Sequence, residues 1–233
     1  MLPKTWDYSH VNTQGRNLFI LRDMGHRIDA IQRTLLEALE ETVLRGFFST
    51  IYCEGYYGEY IPAFPATYTQ QELKSALTFE GGGWGCLELF THGHRKSIIE
   101  GKLRVIGVDN TSMRDEEVRR MKRILELHDK NSARTLTKEE GFELDYLLGP
   151  GTYNFTDARS GSSVEMIVKD MDEQKLKTAG LVYGDAHLEL MMKLFRERGI
   201  GYALYFPGIT NVSAEQERVY IEQIYARQKM RSQ

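Results

Sequence analysis

Three predicted strands of this chain each end directly before an acidic residue or a histidine. These strands, with the residues that follow them, are 18–21 with Asp23 and His26, 47–53 with Glu54, and 180–184 with Asp185 and His187. In an open α/β sheet the carboxyl ends of the strands form the crevice in which ligands bind. We therefore expect two histidines and two or three carboxylates at one sheet edge, which suits either a hydrolytic site or a metal site.

Strands and helices alternate along the chain. The apolar residues from Ile28 to Val43 lie three or four positions apart, which indicates an amphipathic helix that Gly46 closes. Alternation of this kind predicts an α/β fold with a mainly parallel central sheet flanked by helices. The stretch 110–179 has helical patterns and no convincing strand, so we expect a helical insertion packed over the sheet.

Length and composition favour a single domain over residues 1–233. The chain is 41% hydrophobic, which allows a large core, and its net charge of −3 comes without a basic stripe, which argues against nucleic acid as a partner. No apolar stretch has the length of a membrane span, and residues 1–6 do not resemble a signal segment. A cytoplasmic protein that acts on a small molecule or peptide is expected, with a homo-oligomer as an open option.

His26 and Glu54 are the first candidates for catalysis. A histidine just past a strand end can act as a general base because its pKa lies near neutrality, and Asp23 is close enough in sequence to orient it. Glu54 ends an apolar strand, where a carboxylate is costly unless it is paired. The alternatives are a capping or surface role for His26 and an N-cap or loop position for Glu54.

Further candidates would contact a substrate. His187 begins a helix and can point into the crevice, where Asp185 either binds beside it or caps the helix. Arg159 could hold an anionic group through a bidentate fork, with a surface ion pair as the alternative. Tyr56 and Tyr57 open an aromatic loop that could line an apolar pocket, stack on a flat ligand or simply pack against the sheet.

The order of these motifs resembles a known superfamily that includes the erythromycin esterases, the TraB and Tiki proteins and the ChaN haem-binding proteins. Its members have a strand followed by an acid or glycine and a histidine, a helix with a glutamine, a strand ending in Glu-Gly, an arginine ahead of a helix, and a Gly-x-x-His near the C-terminus. The matching positions here are Asp23 and His26, Gln32, Glu54-Gly55, Arg159, and Gly184 to His187. Many members have Glu where this chain has Asp23, which leaves the role of that position open.

The resemblance implies hydrolysis of an ester or amide bond. His26 would take a proton from water, Glu54 would orient that water or a metal, and His187 with Arg159 would stabilise the oxyanion. The superfamily contains metal-free esterases and divalent-metal peptidases, so a Mn or Zn ion held by His26, Glu54 and His187 is one implied option. The ChaN branch implies haem as an alternative ligand, and a non-catalytic interaction protein on the same fold is a third reading.

Overall fold

The structure is a computed structural model that describes residues 6–24, 28–59, 65–79, 85–149 and 155–206, with only the backbone for 77–79. His26 lies outside these residues, and so do residues 207–233, where the pattern Ser213-x-x-Gln216 predicts a capped helix. The predicted roles of these segments therefore stay predictions.

A seven-stranded sheet forms the centre of the fold, with the strand order β1-β7-β2-β6-β3-β5-β4. The strands are β1 (Trp6–His10), β2 (Asn17–Asp23), β3 (Thr50–Cys53), β4 (Tyr57–Glu59), β5 (Arg104–Val108), β6 (Thr178–Gly184) and β7 (Gly201–Tyr205). The five inner strands run parallel to one another. Their side chains are almost all buried, as is usual for strands covered on both faces.

The sheet is mixed, which corrects the expectation of a mainly parallel sheet. Both edge strands run antiparallel to their neighbours, β1 to β7 and β4 to β5. Neither β1 nor β4 has a continuous buried run, because most of their side chains face solvent. Short, exposed edge strands lack the apolar pattern that marks an inner strand, so no strand is predicted at 6–10 or 57–59 from the sequence pattern.

Helices cover both faces of the sheet. Within the described residues they are α1 (Asp29–Leu44), α2 (Gln70–Phe79), α3 (Cys86–Gly93), α4 (Arg95–Ile99), α5 (Thr111–Ser132), α6 (Lys138–Leu148), α7 (Phe155–Glu173) and α8 (Asp185–Glu197). Two of these helices begin with a capping box, in which Thr69 and Glu72 bond reciprocally ahead of α2 and Thr137 and Glu140 do so at α6. Among the described helices, none is both long and apolar enough to cross a bilayer.

Alternate residues of the inner strands belong to two separate hydrophobic cores. Phe19 and Leu21 of β2 pack with α1 and α3 on one face, whereas Leu18 and Ile20 pack with α7 and α8 on the other. This alternation follows from the two-residue repeat of a strand. The result is a three-layer arrangement in which the strand ends lie between two helical layers.

The connection from β5 to β6 carries three helices in the described chain, α5, α6 and α7. The first two pack against each other around Ile124, Leu127 and Leu144. The third is part of the core, because Val164, Ile167 and Met171 are fully buried against the sheet. The connection therefore combines a peripheral helical hairpin with a core helix that reaches the sheet edge.

Two glycines give a matched test of this packing. A Cβ at Gly107 in β5 would overlap the backbone of Tyr56, whereas one at Gly161 in α7 would meet nothing within 4 Å. We expect Gly107→Ala to lower the free energy of unfolding by about 1–3 kcal/mol. Gly161→Ala should raise it by about 0.5–1 kcal/mol because alanine loses less backbone entropy in a helix.

Urea denaturation followed by circular dichroism measures both changes. Equal stability of the Gly107→Ala variant and the unsubstituted chain would contradict the close approach of β5 to the segment before β4.

Candidate functional site

The carboxyl ends of four neighbouring strands meet at one edge of the sheet. The strands β2, β6, β3 and β5 lie side by side in that order. Their ends place four residues along the edge: Asp23, Gly184, Glu54 and Asp109. The polar strand ends that the sequence singles out therefore belong to one region of the fold.

Arg159 of α7 links the acids of this edge. Its Nε and Nη2 atoms donate to the two oxygens of Asp109, both at 2.9 Å. Nη2 also donates to Glu54 Oε1 at 3.1 Å, and Nη1 donates to Glu117 Oε2 of α5 at 2.8 Å. The guanidinium thus joins two strand ends and two helices through charged hydrogen bonds, which are stronger than neutral ones.

Burial makes this network energetically demanding. The side chain of Asp109 is fully buried and that of Arg159 is 7% exposed, while Glu117 reaches solvent. Burial by itself lowers the pKa of Arg159, but hydrogen bonding and charge attraction from Asp109, with further help from Glu117 and Glu54, raise it overall. Arg159 is therefore a fixed cation among three carboxylates.

His187 lies in the first turn of α8 and is buried. Its Nδ1 atom is 2.9 Å from Ser160 Oγ, and its Nε2 atom is 3.5 Å from Glu54 Oε1. The ring meets the ring of Tyr183 edge to face, with centroids 5.1 Å apart. Burial lowers the pKa of His187, and the negative charge of Glu54 offsets only part of that effect. The imidazole is therefore neutral near neutral pH and has one nitrogen available as a base.

Glu54 connects the histidine to the arginine. Its Oε1 atom accepts from Arg159, and its Oε2 atom accepts from the backbone N–H of Gly184 at 2.7 Å. Among Glu54, His187 and Arg159, Glu54 has the most exposed side chain, at 18%, so solvent can approach these three residues at its carboxylate. The carboxylate is fixed in one orientation beside His187 Nε2.

Asp23 takes part in a second set of contacts at the same edge. Its Oδ1 atom accepts from Gln32 Nε2 at 2.9 Å, and Gln32 Oε1 accepts from the backbone N–H of Cys86 at 2.7 Å. Gln32 is almost completely buried. This chain of bonds ties the end of β2 to α1 and to the start of α3.

The other predicted binding residues lie around this centre. Asp185 accepts from Arg22 Nε at 2.7 Å, next to the start of α8. The hydroxyl group of Tyr56 donates to Glu88 Oε1 at 3.3 Å, and Tyr57 is 67% exposed on β4. The structure thus brings Arg159 and His187 into contact with Glu54 and places Asp23, Asp185, Tyr56 and Tyr57 on the surrounding elements.

A divalent metal does not fit the described part of this site. The guanidinium of Arg159 already lies 3.1 Å from Glu54 Oε1, where it would repel a second cation. Gly184 N–H occupies the other oxygen of the carboxylate. Within the described residues, no group of three His, Cys, Asp or Glu side chains is arranged to hold a metal, and the implied ligand His26 lies outside them.

Three residues of this site were not singled out in the sequence. Asp109 directly follows β5, and Glu117 lies among alternating basic and acidic residues of α5. Ser160 is fully buried beside His187. Only helical position could have indicated that Ser160 is buried, because Ser160 and Ser163 fall on the same helical face as the apolar Val164.

Comparison with known proteins finds no matching family model, no matching curated protein and no matching solved structure. The resemblance to the esterase and ChaN superfamily therefore stays a prediction that rests on the motifs.

Removal of the central cation tests the energetics of the network. Arg159→Met should lower the free energy of unfolding by about 3–5 kcal/mol, because Asp109 would keep a buried charge without its partner. The double variant Arg159→Met/Asp109→Asn should recover part of the loss, since the buried charge is gone. Arg33→Met is the matched control, because its pair with Asp29 is exposed and should matter little.

Urea denaturation of the four proteins checks this prediction. A loss at Arg159 no larger than the loss at Arg33 would contradict a tightly coupled buried network.

The buried His187 also predicts a pH dependence of stability. Its folded-state pKa lies below the ordinary value of about 6.5, so the unfolded chain binds more protons in the interval between the two values. Stability from this group is complete above about pH 6.5 and falls as the pH drops toward the folded-state pKa. The difference in unfolding free energy between the unsubstituted chain and His187→Gln should shrink over that interval. A difference that stays constant from neutral pH to pH 5 would contradict the lowered pKa.

Proposed function

We propose that the protein hydrolyses an ester or amide bond in a small molecule or peptide, using a water molecule activated by His187 and Glu54. The observation that carries this proposal is the pair formed by a buried neutral imidazole and a fixed carboxylate, with Nε2 and Oε1 3.5 Å apart. The pair lies at the carboxyl edge of the sheet, where α/β proteins bind their ligands.

The proposed reaction uses two acceptor atoms that lie close together, His187 Nε2 and Glu54 Oε1. One water molecule can donate one hydrogen to His187 Nε2 and the other to Glu54 Oε1. As the water oxygen bonds to the carbonyl carbon, His187 takes the proton, and Glu54 stabilises the imidazolium that forms. His187 then returns the proton to the departing alcohol or amine, so the side chains end in their starting state.

The negative charge that develops on the carbonyl oxygen during the attack must be stabilised by hydrogen-bond donors. The first N–H groups of α8 have no acceptor within their own helix, and they lie beside His187 at the positive end of the helix dipole. Preorganised donors of this kind are a major source of rate enhancement in acyl transfer. Arg159 holds Glu54 in place, because its bidentate fork is already committed to Asp109.

This assignment differs from the sequence-based hypothesis in the choice of the base and in the donors for the oxyanion. That hypothesis gave proton abstraction to His26, which lies outside the described residues, and oxyanion stabilisation to His187 with Arg159. The contacts of His187 support the role of base instead, because its pKa is lowered and its Nε2 atom faces a carboxylate. The cytoplasmic location stays a prediction from the sequence, and a homo-oligomer stays an open option.

A second candidate is an interaction protein in which the network only stabilises the fold. The saturation of Arg159 favours it, because four of its hydrogen bonds go to carboxylates of the same chain. Haem binding has weaker support, because the hydroxyl group of Tyr56 donates to Glu88 and Tyr57 lies on an exposed edge strand.

Hydrolysis of a panel of p-nitrophenyl esters and p-nitroanilides separates the first two candidates. His187→Gln and Glu54→Gln should each lower kcat/KM by about 100-fold or more, the usual contribution of a general base. Glu59→Gln and His128→Gln are matched controls on exposed positions and should keep full activity. Thermal unfolding confirms that each variant is folded.

Two outcomes would count against the hydrolase. Unchanged activity in both site variants would remove His187 and Glu54 from the chemistry. An inactive but folded unsubstituted protein over the whole panel would favour the interaction protein.

A further inference from the structure

Ser160 provides the contact that decides which nitrogen of His187 is the base. It lies in α7, is fully buried, and has its Oγ atom 2.9 Å from His187 Nδ1. The same oxygen is 2.7 Å from the backbone carbonyl oxygen of Thr156, one helical turn earlier. Ser160 therefore lies between a carbonyl group, which can only accept, and an imidazole nitrogen, which can do either.

The number of hydrogens on each group decides which group donates in each of these two contacts. A serine hydroxyl group has one hydrogen, and the Thr156 carbonyl group has none, so the short contact between them requires Ser160 to donate. Ser160 Oγ must then accept at its contact with His187, which places a hydrogen on Nδ1. In the neutral imidazole Nε2 is then the nitrogen without a hydrogen, and it lies 3.5 Å from Glu54 Oε1.

The same argument assigns the hydrogen-bond directions at Ser163, which lies on the same face of α7. Ser163 Oγ donates to the carbonyl oxygen of Val108 at 2.7 Å, so it accepts from the hydroxyl group of Tyr183 at 2.8 Å. The ring of Tyr183 in turn meets the ring of His187 edge to face. One serine thus sets the hydrogen on the imidazole, and the next holds the aromatic ring that packs against it.

Ser160, His187 and Glu54 also have the composition of a nucleophilic triad. Two observations argue against Ser160 as a nucleophile. Its side chain is fully buried within a helix, and its hydrogen is committed to the Thr156 carbonyl group. A nucleophilic serine needs an exposed oxygen and a hydrogen bond that it donates to the histidine.

We propose that Ser160 is a positioning residue that fixes His187 as the Nδ1–H tautomer and so directs the basic Nε2 atom at the substrate water. This inference rests on the proposed function for its catalytic consequence, but the tautomer itself can be observed without any substrate. Loss of the group that orients a catalytic histidine can cost up to about 10⁴-fold in rate.

The test is a long-range ¹H–¹⁵N correlation spectrum of the full chain with ¹⁵N-labelled histidine, recorded above pH 7, in which His187→Gln identifies the signal. The unsubstituted protein should show His187 as the Nδ1–H tautomer. Ser160→Ala should raise the Nε2–H share, and Ser163→Ala, one turn further along α7, should keep the Nδ1–H form. An Nε2–H tautomer in the unsubstituted protein overturns the proposal, even if Ser160→Ala does not fold.

Kinetic measurements on the p-nitrophenyl ester that is hydrolysed fastest provide a second test. Ser160→Ala should lower kcat by at least about tenfold with little change in KM, because the base is misdirected while the binding surface is kept. A fluorophosphonate probe followed by peptide mass spectrometry should leave Ser160 unlabelled, and labelling there would overturn the positioning role. The expected tautomer without any hydrolysis would support the assignment of His187 and reject the proposed function alone.

Discussion

The guanidinium group of Arg159 is the constraint on which the carboxyl edge of the sheet depends. It satisfies the fully buried Asp109 at the end of one strand and reaches Glu54 at the end of the next. Without it, two carboxylates would repel each other in a region of low effective dielectric. A buried ion pair of this kind adds little net stability over an apolar alternative, so its value lies in fixing geometry.

That geometry determines what His187 can do. Glu54 is held on one side by Arg159 and on the other by the backbone N–H of Gly184, so its Oε1 atom stays beside the imidazole. Ser160 holds the opposite nitrogen of the ring. The histidine is therefore fixed from two sides, and its lowered pKa favours the neutral imidazole at neutral pH. Preorganisation of this kind is what a water-activating base requires.

The sequence predicted the strand ends better than the contacts between them. Glu54 and His187 were identified because a polar residue after an apolar strand is costly to bury and falls at the ligand-binding edge. The partner of Asp109 is 50 residues further along the chain, a distance over which periodicity carries no information. Ser160 is a small residue on a buried helical face, where a structural and a functional hydroxyl group have the same sequence pattern. The edge strands were missed because most of their side chains are exposed, so they lack the apolar runs of inner strands.

Arg159 supplies the positive charge of this site, and on our proposal His187 and Glu54 therefore share a water molecule and not a metal ion. A crystal structure of the chain soaked in Mn²⁺, with an anomalous difference map, tests it most directly. We expect an ordered water within about 3 Å of both His187 Nε2 and Glu54 Oε1, with no manganese peak between them. A manganese peak bonded to both side chains, with Arg159 displaced from Glu54, would contradict it.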